Sequence, residues 1–272
     1  MAETAVVADG VRAEVLRTQL KQTPSSSLTP DNRMTTYAPL DVLKPVADGI
    51  WIVDSGPLHA VGAIPLPVRM TVMQLEDGGI VLHSPTRYDP SLRETIESLG
   101  PIRHIVAPNS AHWSFVKDWK GRVPDALTWA APGLRQRRQV KKACIPWHGD
   151  LGAKSLAHFA PDIDQIEVPG IGGFCEVCFF HRKSQSLVVT DLIQNLEDHH
   201  HSSVMRLFSK VIGARDRAPI YLRAVVRLKG EPAKAAARQL VALEPKRVIF
   251  SHGQYFEHDA PARLRKSLEW LV

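Results

Sequence analysis

Residues able to do chemistry gather at a few places in the 272-residue sequence. Cys175-Glu176-Val177-Cys178 has the spacing of a redox or zinc CxxC, and Asp198-His199-His200-His201 has the composition of a metal tract. Residues 175–182 (CEVCFFHR) are apolar and aromatic enough to form a strand. Side chains three apart on a strand point to opposite faces, so Cys175 and Cys178 cannot readily share an ion or a disulfide. No second CxxC completes a four-thiolate site. Consecutive histidines splay apart, so at most two of the tract would reach one ion, and a solvated loop satisfies them equally well. The same alternation puts Glu176 on the face of Cys178. A carboxylate in an apolar strand must find a partner or water, which makes Glu176 a catalytic candidate and lets His181 assist if it faces the same cleft. Three further runs end in polar side chains: VAPNSAHW (106–113), VVTDLIQN (188–195) and VIFSHG (248–253). Loops that follow strand ends build the binding face in many α/β proteins.

The elements that must position these residues follow from hydrophobic periodicity. RMTVMQLEDGGIVLHSP (69–85) predicts a hairpin, because two β-rich runs flank Glu-Asp-Gly-Gly and glycine supplies the positive φ of the turn. IWIVDSG (50–56) predicts a strand before it. Leu92, Ile96 and Leu99 stripe a helix over 91–100. Strands are predicted at 102–109, 126–133, 164–170, 175–182 and 185–193, with a helix at 112–119. A basic, mostly helical stretch is expected over 203–229, a helix at 233–244 with Pro232 in its first turn, a buried strand over 245–253, and a closing helix at 262–272. A doubly wound parallel sheet needs a crossover helix between most strands, and the hairpins at 69–85 and 175–193 lack one. Two mixed sheets packed face to face with helices outside satisfy the pattern better.

Composition narrows the class. Hydrophobic residues make up 44% and charged residues 23%, enough apolar surface for one large α/β core and too much for bulk disorder. Residues 1–33 read as a flexible tail and Pro/Ser-rich linker ahead of a domain at 34–272. Three cysteines, an odd and low number, point to a reducing compartment. No window reaches the roughly 18 apolar residues of a spanning helix, and the N-terminus lacks a signal-peptide pattern, so a cytoplasmic protein free of the membrane is expected. The net charge of +6 and the basic clusters at 135–142 and 205–229 favour anionic partners. No nucleic-acid-binding signature accompanies them, so a small-molecule ligand or substrate is the expected partner. Oligomeric state is not legible.

WIVDSG (51–56), RMTVMQLEDGGIVLHSP (69–85), GPIRHIVAPNSAHW (100–113), VPGIGGFCEVCFFHR (168–182), SLVVTDLIQN (186–195) and VIFSHG (248–253) together resemble the metallo-β-lactamase superfamily, and among its branches an uncharacterised one, a domain of unknown function. The resemblance implies an αββα sandwich of two mixed sheets with helices on the outside. It also implies a degenerate metal motif. Where active members carry His-x-His-x-Asp-His, this sequence has Pro108, Ser110, His112 and Trp113, and Ile171 stands where the next His would follow a Pro-Gly turn. The bridging carboxylate corresponds to Asp191 and the last His to His252. The first metal site is thereby lost, while His112, Asp191 and His252 of the second remain. Two imidazoles and a carboxylate suit one Zn²⁺ or Fe²⁺. His83 occupies a position where the superfamily often has an Asp, and with His181, Asn109 and Trp113 it is a candidate supporting group. The implied function is a metallo-hydrolase with a mononuclear or vestigial site, attacking an ester, amide, lactone or phosphoester with water, with Asp191 as both ligand and base. The alternative is a non-catalytic module that binds a small anion in the same cleft.

Overall fold

A computed structural model of the chain describes residues 37–60, 64–153, 155–196, 213 and 215–272. The tail at 1–33 and the histidine tract at 198–201 lie outside these residues.

Apolar alternation punctuated by glycine turns builds the first sheet. Strands β1 (Lys44–Ala47), β2 (Ile50–Ala60), β3 (Ile64–Gln74) and β4 (Ile80–His83) run antiparallel in that order. The β3–β4 turn is the expected Glu-Asp-Gly-Gly, with Gly78 at φ +80°. From β4 onward the sheet becomes parallel through β5 (Ile102–Ala107), β6 (Leu127–Ala130) and β7 (Gly149–Asp150), because helical connections intervene. Of these, α1 (Pro90–Glu97) starts where the Asp89 carboxylate accepts from Leu92 N at 2.9 Å. The others are α2 (Val116–Arg122), α3 (Arg138–Ala143) and, after β7, α4 (Leu156–Phe159). The second sheet has the order β11-β10-β9-β8, from β8 (Ile163–Pro169), β9 (Cys175–His181), β10 (Ser186–Val188) and β11 (Arg247–Ile249). Its first three strands are antiparallel, while β10 and β11 are parallel. Helices α5 (Ile220–Arg227) and α6 (Glu231–Ala242) precede β11, and α7 (Ala260–Leu268) follows it.

Three apolar layers separate four layers of structure. One core lies between the sheets and includes Met73, Val81, Val106, Trp129, Val177, Phe179 and Ile249. A second packs the outer face of the seven-stranded sheet against α1 and α2 through Leu92, Ile96, Val116 and Trp119. A third packs the outer face of the four-stranded sheet against α5, α6 and α7 through Leu222, Leu240 and Leu264. This is the expected αββα sandwich. Strand alternation divides the cysteines as expected: Cys175 joins the inner core and Cys178 the outer one. Burial pushes the Cys175 thiol up to about 12 and the Cys178 thiol well above its usual range, so neither is a reactive thiolate.

Several expected elements are shorter than their sequences suggest, among them the strand expected over 245–253, which is only Arg247–Ile249, and two of the shortfalls have a local cause. The helix expected at 112–119 begins at Val116, because Asn109 Oδ1 accepts from Ala111 N (2.8 Å) and His112 N (3.1 Å) and ties a turn there. The strand expected over 185–193 ends at Val188, because Glu176 takes the backbone N–H groups of 190–192 out of the ladder. Of the basic, mostly helical stretch expected over 203–229, residues 203–212 and 214 lie outside the described residues; among the rest Arg217 forms an isolated β-bridge with Gln194 and α5 covers Ile220–Arg227.

The topology has a functional consequence. Parallel β4 and β5 in one sheet and parallel β10 and β11 in the other bring four C-terminal strand ends to one rim of the sandwich. Val177 N donates to Pro108 O across the two sheets there, at 2.8 Å.

Candidate metal centre

His112, Asp191 and His252 meet at that rim, each with one ligand atom within 4.8 Å of the others. They come from the loops after β5, β10 and β11. His112 Nε2 lies 3.2 Å from Asp191 Oδ2 and His252 Nε2 3.3 Å from Asp191 Oδ1. The imidazole centroids are 5.2 Å apart. The carboxylate is 16% exposed and each imidazole 9%, so the group is largely covered while keeping some contact with solvent.

Each imidazole is held through its far nitrogen. His252 Nδ1 is 2.7 Å from the carbonyl of Pro67. A carbonyl only accepts, so Nδ1 carries a proton and the neutral ring keeps its lone pair on Nε2. His112 Nδ1 is 2.7 Å from Ser84 Oγ. Ser84 sits just past β4 with φ +55°, a left-handed conformation uncommon for serine, which is held by its N–H to Val106 O at 3.0 Å. Outer partners of this kind fix the tautomer and aim of metal-binding histidines.

Asp191 is held from four directions. Its Oδ2 also accepts from Asn109 Nδ2 at 2.8 Å and its Oδ1 from Gln194 Nε2 at 3.0 Å. Burial works to raise its pKa, but the charge and hydrogen bond of His112, joined by those of His252, hold it well below the usual carboxylate range. Burial likewise works against the His112 cation, yet the Asp191 charge and hydrogen bond raise its pKa, with help from Glu176.

Glu176 is the main correction to the sequence expectation. It is fully buried on β9 beneath Asp191. Its oxygens accept from the N–H groups of Thr190 (2.7 Å), Asp191 (3.0 Å) and Leu192 (3.2 Å), and from Asn109 Nδ2 (3.2 Å). Burial and the Asp191 charge raise its pKa, while these donors oppose the rise. Since every partner is an N–H, the ionised form is the one the pocket satisfies. Glu176 shapes the loop that carries Asp191 and offers no free oxygen to a substrate. Asn109, which joins Glu176, Thr190 and Asp191, is the hub of the site.

The other candidates divide. His83 packs on Phe179 with centroids 5.1 Å apart, and burial followed by the His112 charge pushes its pKa down to about 3, so it is a neutral neighbour of His112. Its Nε2 has no hydrogen-bond partner among the described residues. His181 does not assist. It lies at the opposite end of β9 from Glu176, roughly 16 Å along the strand, and on the other face. There it binds Gln74 O (3.2 Å) and Ser184 Oγ (2.8 Å). Trp113 also stands apart, packed into the outer core of the seven-stranded sheet. Sequence reasoning missed Arg69, whose side chain is 2% exposed. It donates to Phe250 O (3.1 Å) and Gly253 O (2.7 Å) on either side of His252 and pairs with Asp54 at 2.6 Å. An Asp and an Arg inside the apolar runs WIVDSG and VRMTVM were the available signal.

A family model, Domain of unknown function (DUF4336), matches residues 47–266. The chain belongs to the DUF4336 family. No curated protein matches it by sequence. Solved structures place this DUF4336 chain in the metallo-β-lactamase fold. The metallo-β-lactamase FIM-1 from Pseudomonas aeruginosa in its mono-zinc form is similar at TM-score 0.52 and 14% identity, over 86% of this chain and 95% of that one. A metallo-β-lactamase from Pontibacter korlensis gives 0.53 at 12%, over 84% and 98%. The metallo-β-lactamase DIM-1 gives 0.55 at 13%, over 86% and 97%. The DUF4336 chain thus has a metallo-hydrolase-like scaffold with a His/Asp group at the strand-end rim. No helix among its described residues is long and apolar enough to cross a membrane.

Proposed function

We propose that this DUF4336 chain is a metal-dependent hydrolase with a mononuclear site formed by His112, Asp191 and His252. The observation that carries the reading is the convergence of two Nε2 atoms on the two oxygens of one carboxylate, each imidazole anchored by Nδ1 to Ser84 or Pro67. The donor set fits Zn²⁺ or Fe²⁺: two imidazole nitrogens and a carboxylate, with positions to spare. A bound ion of this kind supplies Lewis acidity towards water and towards a carbonyl or phosphoryl oxygen.

The residues themselves do the rest. Asn109 and Gln194 fix the plane of the Asp191 carboxylate, leaving each oxygen one further lone pair for the ion or for a proton from water. Asp191 is the general base for water attack on an ester, amide, lactone or phosphoester. His83, neutral beside His112, adds no competing charge.

Elemental analysis of the full chain purified from metal-supplemented cells tests the reading. About one equivalent of zinc or iron is expected, falling below roughly a tenth in Asp191→Ala. Hydrolysis of an ester, lactone and phosphodiester panel should fall with the metal. A wild-type chain that stays metal-free and inactive, yet binds a small carboxylate in this cleft, would establish the binding-module alternative.

A further inference from the structure

The same rim carries an apolar lip that the metal group does not use. Gln194 connects the two. Its Nε2 donates to Asp191 Oδ1 at 3.0 Å, and its backbone bridges Arg217 through two N–H···O contacts of 3.4 and 3.2 Å. Helix α5 starts three residues beyond Arg217, so this bridge ties the approach to its first turn to the loop that carries Asp191. That turn exposes Ile220 (58%) and Tyr221 (63%). Tyr221 and Val225 are four residues apart and lie one above the other on the helix. Val225 O accepts from Ile171 N at 3.0 Å, which lays the Gly-rich 170–173 loop along that face and leaves Ile171 43% exposed. Partial desolvation of the phenol and the negative charge of Asp191, which reaches it, both raise the Tyr221 pKa. Ile171, Ile220 and Tyr221 are thus large apolar side chains exposed on two adjoining segments, and apolar exposure gathered in this way, unlike scattered single residues, marks a recognition surface.

We propose that Ile171, Ile220 and Tyr221 receive the apolar acyl or aryl part of the substrate, so that the site acts on esters, amides or lactones with hydrophobic acyl groups. The inference rests on the metallo-hydrolase reading and adds its substrate class.

A series of straight-chain hydroxamates, from acetyl to octanoyl, tests it by titration calorimetry on the full zinc-loaded chain. Affinity should rise about two- to fourfold per added methylene over the first few carbons. The double substitution Ile171→Ser/Tyr221→Ser, at two exposed positions, should flatten that slope. Hydroxamates that bind without chain-length dependence, or an unchanged slope in the double variant, overturn the lip. Failure of acetohydroxamate to bind the zinc-loaded chain overturns the metal reading and the substrate class with it. If the double variant instead turns a dimer into a monomer in sedimentation while the slope persists, the lip is a contact between copies and the proposal fails.

Discussion

Arg69→Met removes the charge that ties β3 to the loop carrying His252, and the structure sets its cost. The guanidinium is 2% exposed, pairs with Asp54 at 2.6 Å, and donates to two carbonyls, at 3.1 Å (Phe250) and 2.7 Å (Gly253). It lies 5.5 Å from the ring centroids of both Tyr37 and Tyr255. Removing one member of a buried ion pair costs about 3–5 kcal/mol. Lys44 still contacts Asp54, which favours the lower end. Each carbonyl left dry adds about 1–3 kcal/mol, less where water enters. Taking the lower ends, about 3 kcal/mol for the pair and about 1 kcal/mol for each carbonyl, a net loss of about 5 kcal/mol is expected, a large share of the roughly 5–15 kcal/mol that holds a domain together. Urea unfolding measures it. Because the loop of His252 is released as well, metal affinity should fall together with stability, and Arg69→Lys should restore part of both. Asp54→Leu/Arg69→Met removes the stranded charge and should be less destabilised than the two single changes summed, by about 1–3 kcal/mol. An Arg69→Met chain within about 1 kcal/mol of wild type, with metal affinity intact, would refute the assignment of Arg69 as the anchor of this loop.

Other perturbations address the remaining parts of the site. Glu176→Gln keeps the shape but turns an amide N–H₂ towards backbone donors, and should cost about 2–3 kcal/mol in thermal or urea melts; a neutral result would mean the carboxyl is protonated. In Gly253→Ala the new Cβ would lie 1.9 Å from Asn195 O at a residue with φ +102°, so a loss above about 2 kcal/mol is expected along with the Asn195 N to His252 O bond. Burial, followed by the charge of His158, lowers the pKa of His104 to about 4. The unfolded chain, with His near 6.5, therefore binds more protons between those values, and His104 makes the stability of metal-stripped protein rise with pH across that window by up to about 1.4 kcal/mol per unit, in addition to the similar contribution of His83. His104→Asn, whose amide oxygen stands near the Nδ1 position that accepts from Trp129 Nε1, should remove the His104 share of this slope and leave that of His83. The raised pKa of His112 means that metal must displace its proton, so metal affinity measured by competition should increase with pH through the neutral range.

Much of the architecture was legible from local pattern. The Gly-Gly turn, the two hairpins without crossovers and the amphipathic helices are decided by neighbours in sequence, because turn φ angles and side-chain periodicity are local properties. The opposite fates of Cys175 and Cys178 followed from strand alternation alone. His112, Asp191 and His252 could be named only through the resemblance of their strand-end phrases to the metallo-β-lactamase superfamily. Their approach to within 4.8 Å, however, depended on two parallel strand pairs ending at the same rim. What residue type could not decide was orientation and occupancy. Glu176 looked like a reactive carboxylate until the fold placed three consecutive N–H groups over it, and His181 looked eligible until it fell at the far end of its strand. Arg69 is about 180 residues from the carbonyls it binds, a distance that only tertiary packing closes. A sequence records which groups can bond; burial and long-range backbone placement determine which of those bonds are made, since an unmade bond is costly only once water has been excluded.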